Sequence, residues 1–442
     1  MTPLLPSGYN QPGKPGKRGD GHDRTNRPGG TSVAAGGNVS SLTESRALLA
    51  DAGFRRLWLI GAVTSVMRWL DMLTAGIFVF DVTGSPGMVA AVTLLRLVPM
   101  VAGAYAGTLV ERLPLRRVLR FGLVALAILY AILAALGVAG LLTVWQVALG
   151  VLLVGVYWAL DGSVRRTLLS DVAGVARTGP AIALDWSTIN ATRAIGPLAG
   201  GAVYAALGVG ACYALGVACF GLALAMAARL DVGGTAAVTE RRHVWAAIRD
   251  GFRIAWASPM LLGTLAVTTT LNFFGFPYSS MLPVVGKEVL HASPAGVGLL
   301  SSAEGFGAFV ASLALAGLAR PSWFARAYLL GSFGVAIGAL VLGLSTDYAL
   351  SLLAMLFAGF GMALFATMQS TLILTHAPAD SRSRLMGVLT TCIGVGQLGI
   401  AHIGVLAASF GAATAIVVSE VEAVVVPALC VWRWPALWRD RR

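Results

Sequence analysis

Four ionisable side chains, Arg68, Asp71, Arg96 and Glu304, fall inside long apolar runs of this sequence. If those runs cross a bilayer, each charge costs about 2.5–3.5 kcal/mol on insertion scales and is a functional hypothesis by default. Asp71, Arg96 and Glu304 each stand about nine residues from the same end of their runs; at ~1.5 Å per residue that is ~14 Å, near the midplane of a core ~30 Å thick. Arg68 lies one helical turn from Asp71, on the same face. Two chemistries compete. A desolvated carboxyl can hold and release a proton near neutral pH, and a neighbouring Arg pulls it back toward ionisation. Asp71 or Glu304 would then carry a coupling proton and switch an Arg–carboxylate contact. Alternatively, Arg68, Asp71 and Arg96 form a static ion-pair cluster tying two helices together. Glu304 has no counter-ion in its own run, which favours the proton role for it. Direct contact of these charges with a charged substrate is a further reading.

Other polar residues in apolar surroundings mark a pocket. The run Asn272-Phe273-Phe274-Gly275-Phe276-Pro277-Tyr278 offers aromatics and one amide, which suits an amphipathic organic molecule; it equally fits an aromatic packing stripe or interfacial belt. Asn190, Arg193, Gln369, Gln397 and His402 are further cavity candidates, with His402 also readable as a satisfied packing residue. Glu420 and Glu422, near the end of the last run, are expected to be solvated or interfacial. Cys212, Cys219, Cys392 and Cys430 form no CxxC pair and are expected to be packing residues, so no disulfide, metal site or cofactor is indicated. Gly8 to Lys14 has the spacing of a phosphate loop, but Pro15 replaces the Ser or Thr and no strand precedes it. No HExxH, nucleophile motif or clustered carboxylate pair points to an enzyme.

The elements that must position these residues are apolar helices. The 442 residues are 57% hydrophobic and 12% charged, whereas a soluble domain carries about 25% charged residues. About twelve runs are long enough to span a bilayer: 57–80, 87–110, 118–138, 144–164, 181–206, 210–229, 259–284, 295–318, 325–344, 349–373, 385–408 and 413–432. The net charge of +12 does not imply nucleic acid, because the arginines lie between apolar runs and form no polar face. One set of connections holds Arg112, Arg116 and Arg117; Arg165, Arg166 and Arg177; Arg241, Arg242, Arg249 and Arg253; Arg320; Arg382 and Arg384; and Arg439, Arg441 and Arg442, while the alternate set has Lys287. The positive-inside rule places the Arg-rich set and both termini in the cytoplasm. The expected organisation is a disordered cytoplasmic tail (1–53), a six-helix bundle (54–230), a linker with an interfacial helix (231–258), a second six-helix bundle (259–433) and a basic tail (434–442). The halves echo each other weakly: Gly196-Pro197-Leu198-Ala199-Gly200-Gly201 in one, Gly394-Val395-Gly396-Gln397-Leu398-Gly399 in the other. Two parallel repeats are the expected design of a rocking transporter.

An ordered set of segments resembles the major facilitator superfamily, and within it the drug and siderophore exporters that include the macrolide efflux proteins and the enterobactin exporter. The segments are Phe54-Arg55-Arg56-Leu57-Trp58, Val82-Thr83-Gly84-Ser85-Pro86, Leu95-Arg96-Leu97-Val98-Pro99, Gly196-Pro197 with Gly200-Gly201, Met281-Leu282-Pro283, Gly359-Phe360-Gly361-Met362-Ala363-Leu364 and Ser383-Arg384-Leu385-Met386-Gly387. They run from Phe54 to Trp432. The loop after the second run keeps Gly107, Glu111 and Arg112 in the superfamily's gating-loop spacing, followed by Arg116 and Arg117, with Glu111 where the family usually has Asp. The resemblance implies that this acid latches a neighbouring helix N-terminus, a contact worth roughly 0.3–1 kcal/mol. It also implies that the Gly-Pro-x-x-Gly-Gly run is the helix-packing motif of proton-exchanging exporters; ordinary small-residue packing explains the same run.

The expected fold is therefore an all-α membrane protein of twelve transmembrane helices in two pseudo-symmetric bundles, embedded in the bacterial inner membrane as a monomer. The expected function is proton-coupled efflux of a small amphipathic drug, antibiotic or siderophore by alternating access, the partners being lipid, substrate and protons. The alternatives are an importer, an uncoupled facilitator, or a membrane binding or assembly protein that does not transport.

Overall fold

A computed structural model describes residues 47–96, 98–99, 114–174, 177–230, 244–318, 321–378 and 381–438. The tail at 1–46, the gating-loop residues Gly107, Glu111 and Arg112, and the connection arginines Arg241, Arg242, Arg320, Arg439, Arg441 and Arg442 lie outside the described residues. Everything else follows from helices: α1 (Ala52–Thr83), α2 (Pro86–Leu95), α3 (Leu115–Val138), α4 (Val144–Ala173), α5 (Thr178–Ala228), α6 (Val244–Trp256), α7 (Pro259–Thr270), α8 (Leu282–Glu288), α9 (Pro294–Leu318), α10 (Phe324–Leu344), α11 (Tyr348–His376), α12 (Arg382–Gly394), α13 (Gly396–Phe410) and α14 (Ala412–Arg433). Among the described residues ten helical stretches are long and apolar enough to cross a membrane.

The helix boundaries have local causes. Asp51 caps α1 by accepting from the Phe54 N–H at 2.7 Å. Ser85 and Ser258 cap α2 and α7, each with proline in the first turn. Thr143 and Gln146 form a reciprocal capping box on α4. Each arrangement satisfies N–H groups that the helix itself leaves open. At the far end of α5, Arg120 donates to the carbonyls of Ala227 (2.9 Å) and Ala228 (2.8 Å), and Arg56 donates to that of Arg229 (2.7 Å). Cations there complement the helix dipole.

The 51-residue α5 holds both the fifth and sixth expected runs. Gly208 takes φ 78°, a left-handed conformation that glycine adopts without a Cβ penalty. The chain folds back at that point: the Cys212 Sγ lies 3.7 Å from the Gly200 carbonyl, whereas twelve residues of straight helix extend ~18 Å. The seventh run is not one regular helix. After α7 come a π-helical turn, Leu271–Gly275, and a 3-10 turn, Pro277–Ser280. The eleventh is two helices, α12 and α13, joined at Val395. Within the expected linker the structure has a helix, α6.

One apolar core is built within α1, α3, α4 and α5, and its centre is Tyr130 set edge-on to Tyr213 and Phe220 at 5.6 and 4.9 Å. A second is built around α7, α10, α11 and α14. A third joins the halves at the end that carries Asp81 and Lys287; it brings Phe78, Val79 and Val89 together with Tyr278, Leu282 and Val285. The outside stays greasy, with Phe121, Trp145 and Trp432 each more than three-quarters exposed. An apolar surface of this kind needs lipid as its solvent.

The halves cross most closely where α5 meets α9. A Cβ on Gly201 would come within 2.9 Å of the Gly298 Cα. Replacing Gly201 by Leu is therefore expected to force this crossing apart and reduce transport at least tenfold with the protein still inserted; Gly221→Leu, at a position with open space, is the control. Equal transport by both variants would show that the crossing tolerates bulk.

Candidate functional site

A cavity of about 370 Å³ opens between the two halves. From the first half come Trp69, Met72, Leu73, Thr93, Arg193 and Pro197; from the second come Asn272, Phe276, Tyr278, Glu304, Phe365 and Gln369, among others. The irregular backbone after α7 supplies much of the second wall. π-Turns recur at functional sites because they swing side chains off the regular helix face. Around this cavity, Asn272 donates to the Thr268 carbonyl at 2.8 Å, and Gln369 accepts from the Thr268 hydroxyl at 3.4 Å. The lining is apolar with a few polar groups, the mix that binds amphipathic molecules.

One ion pair bridges the halves across this cavity. Arg193 on α5 donates to Glu304 on α9 at 2.5 Å, and its guanidinium stands 5.1 Å from the ring centre of Trp69. Glu304 is buried, whereas Arg193 keeps 18% of its side chain exposed. Glu304 has no counter-ion in its own run, as the sequence indicates; its partner comes from the other half, 111 residues away in sequence.

The Asp71–Arg96 pair is different. It closes at 2.6 Å with both side chains buried, and both residues belong to the first half. Tyr130 and Tyr213 lie beside it. Arg68 does not complete a cluster on Asp71. It lies 4.3 Å from the ring centre of Trp158, which Arg96 approaches at 4.9 Å, and it feels the charges of Asp161 and Arg165.

A third buried network went unrecognised in the sequence. Arg165 on α4 pairs with Asp185 on α5 and, at 3.3 Å, with Asp161, which also accepts from the Tyr157 hydroxyl at 3.0 Å. All three charged groups are buried. Arg165 and Arg166 are thus not in a connection: α4 runs to Ala173 and includes them. Arg166 stacks on Trp186, 4.4 Å from the ring centre. The i, i+4 spacing of Asp161 and Arg165 was the available signal.

The remaining candidates scatter. Asn190 is exposed on α5. Phe273, Phe274 and His402 form an aromatic cluster, with ring centres 4.7–5.6 Å apart, outside the cavity lining. His402 also contacts Glu422 at 2.9 Å. Gln397 is half-buried and does not line the cavity. The expectation for Glu420 is corrected: it is wholly buried on α14, not solvated. Gly196 and Gly200 face α1, where a Cβ on Gly196 would meet the Trp69 Cβ at 2.6 Å, and Pro197 sits inside the helix. Arg116 and Arg117 begin α3. The four cysteines are free, and among the described residues no group of side chains could hold a metal ion.

At one end the halves also meet through charge, away from the cavity lining. Lys287 pairs with Asp81, which also accepts from the Tyr204 hydroxyl at 3.0 Å. Above Thr93, a Cβ on Gly87 would meet the Ala408 Cβ at 3.0 Å. The Lys287→Glu variant places like charges here and is expected to part this end. Thr93→Cys, in a background with the four native cysteines replaced by Ala, should then react several-fold faster with an impermeant thiol reagent applied from the Lys287 side. An unchanged rate would mean that this end is not held by the pair.

The comparisons with known proteins agree with this architecture. The profile of a family described as transmembrane secretion effector matches residues 43–437. The staphyloferrin A transporter of Staphylococcus aureus (strain NCTC 8325 / PS 47) is 22% identical over 277 residues, which are 61% of this chain and 69% of that protein. Two solved transporters share the fold. One is the nucleoside transporter NupG, with a TM-score of 0.69 and 14% identity over 87% of this chain and 100% of that one. The other is a bacterial homologue of the human lysosomal transporter Spinster in an inward-facing, unoccupied conformation, with a TM-score of 0.68 and 15% identity over 88% and 98%. A membrane-embedded helical fold with a site between its halves, matched by a family profile over nearly its whole length, identifies the chain as a member of the transmembrane secretion effector family of major facilitator transporters.

Proposed function

We propose that this transporter exports a small amphipathic organic molecule from the bacterial cytoplasm, by alternating access and in exchange for protons, as a monomer in the inner membrane. The arginine-rich end faces the cytoplasm, so the Lys287–Asp81 pair lies at the outer end, where it holds the halves together. The observation that carries this reading is the Arg193–Glu304 pair, which bridges the halves at the cavity wall. A charge pair in a low-dielectric cleft holds the two sides together while Glu304 is ionised; protonation removes the attraction and frees Arg193.

The cycle follows from that switch. In the inward-open state Glu304 is ionised and the cargo enters beside Trp69, Phe276, Tyr278 and Phe365. The loaded carrier opens outward, where a proton from the more acidic side binds Glu304 and the cargo leaves. The protonated carrier returns and releases its proton to the cytoplasm. Asp71, paired within one half, positions the first two helices; Gly196 and Gly200 seat α5 on α1, and Gly201 lets the halves meet at close range. Gly107, Glu111 and Arg112 with Arg116 and Arg117 form the cytoplasmic latch. The likeness to a staphyloferrin A transporter supports a cargo of drug or siderophore type.

The test uses proteoliposomes that contain a pH dye and a pH gradient. Ethidium, a macrolide and a catecholate siderophore are added in turn. Collapse of the gradient by a transported compound is the expected result. A compound that crosses with no proton movement would rule out exchange.

A further inference from the structure

Glu420 is a buried charge-bearing group that the cycle above leaves unused and that, unlike Arg165, Asp161 and Asp185, has no charged partner among the described residues. It lies on α14, is 0% exposed, and neither carboxyl oxygen has a hydrogen-bond partner. Its neighbours on the same helix are satisfied: Ser419 donates to the Phe274 carbonyl at 2.8 Å, and Glu422 meets His402 at 2.9 Å. The elements packed on α14 are α7, the π-turn, α8, α10, α13 and the 3-10 turn Pro435–Leu437. Their charged or titratable side chains are Lys287 and Glu288 on α8, Arg326 and Tyr328 on α10, and His402 on α13. Lys287 is held by Asp81, His402 by Glu422, and Tyr328 by Thr268 and the Thr264 carbonyl. Tyr278, from the 3-10 turn after the π-turn, lies within electrostatic reach of both Glu304 and Glu420.

An ionised carboxylate with no donor and no counter-ion cannot persist in such a place; a neutral carboxylic acid can. We propose that Glu420 is a proton-binding site, occupied by a proton at neutral pH in this conformation, with Tyr278 between it and the cavity. Two carboxyls in unlike surroundings then act on Tyr278. Glu304 has Arg193 as its counter-ion and Glu420 has none, the divergence of environments by which a pair of acids divides donor and acceptor roles. The proton of Glu420 leaves to water when the turn at 271–280 moves with the cavity wall, and a carboxylate remains; in the reverse step water returns the proton. This assignment stands whether or not cargo movement is coupled to protons.

Infrared spectroscopy of the full chain in lipid nanodiscs tests it. Carbon-13 labelling of glutamate in the wild-type protein should shift a protonated-carboxyl carbonyl band at neutral pH, and that band should vanish in Glu420→Gln but survive in Glu304→Gln. Absence of any protonated-glutamate band in the wild type would overturn the proposal without recourse to a variant. So would a band that persists in Glu420→Gln.

Discussion

Replacing Arg165 by Leu is expected to cost about 3–5 kcal/mol of stability, the usual penalty for removing one partner of a buried ion pair. The size follows from what remains. Asp161 and Asp185, each under 10% exposed, would lose the cation they share, leaving Asp185 only the partly exposed Arg166 at 3.9 Å and Asp161 only the Tyr157 hydroxyl on one oxygen. The guanidinium also fills the space above Gly61, so its loss leaves a void against α1 as well. Arg165→Lys restores the charge but not the fork that reaches two carboxylates, and should recover part of the loss. Equilibrium unfolding in mixed detergent micelles measures all three proteins. Wild-type stability in Arg165→Leu would mean that the network does not hold α4 to α5.

The second large effect is functional. Glu304→Gln keeps the shape of the side chain and removes its titration. Substrate-driven proton movement should fall at least 100-fold, while exchange of labelled for unlabelled compound, which needs no proton, continues. Arg193 tolerates the change because part of it already reaches solvent. Asp71→Asn provides the contrast. It strands Arg96, which is buried, so it should lower stability by an amount like that of Arg165→Leu before it touches coupling. Proton movement that survives in Glu304→Gln, measured with the pH dye, would remove this carboxyl from the cycle.

Much of the fold is legible because spanning segments are set by length and hydropathy, which act locally. Every expected run has a helix at its place, although for the second only its beginning and residues 98–99 are described. The sites are harder to read because their partners are distant. Glu304 finds Arg193 across the bundle, and no window along the chain brings the two together. Arg165 reads as part of a cytoplasmic connection because an arginine near a span end obeys the topology rule whether it meets water or two buried aspartates. Glu420 misled for a similar reason: two carboxylates two residues apart look like one solvated edge, yet on a helix they point in different directions, one to His402 and one into the core. The irregular turn at 271–280 had aromatic residues and a proline as signals, but its π-helical geometry depends on packing against α13 and α14.

The central claim is that the two halves move against each other around the Arg193–Glu304 pair. Pulsed electron resonance distances between spin labels at Val82→Cys and Glu288→Cys, both at exposed positions on opposite halves at the Lys287 end, test it most directly. In a cysteine-free background in nanodiscs, a short distance should dominate without cargo, and a longer population should grow when a compound that crosses proteoliposomes is added. One short, unchanging distance in a protein that still transports would contradict the account.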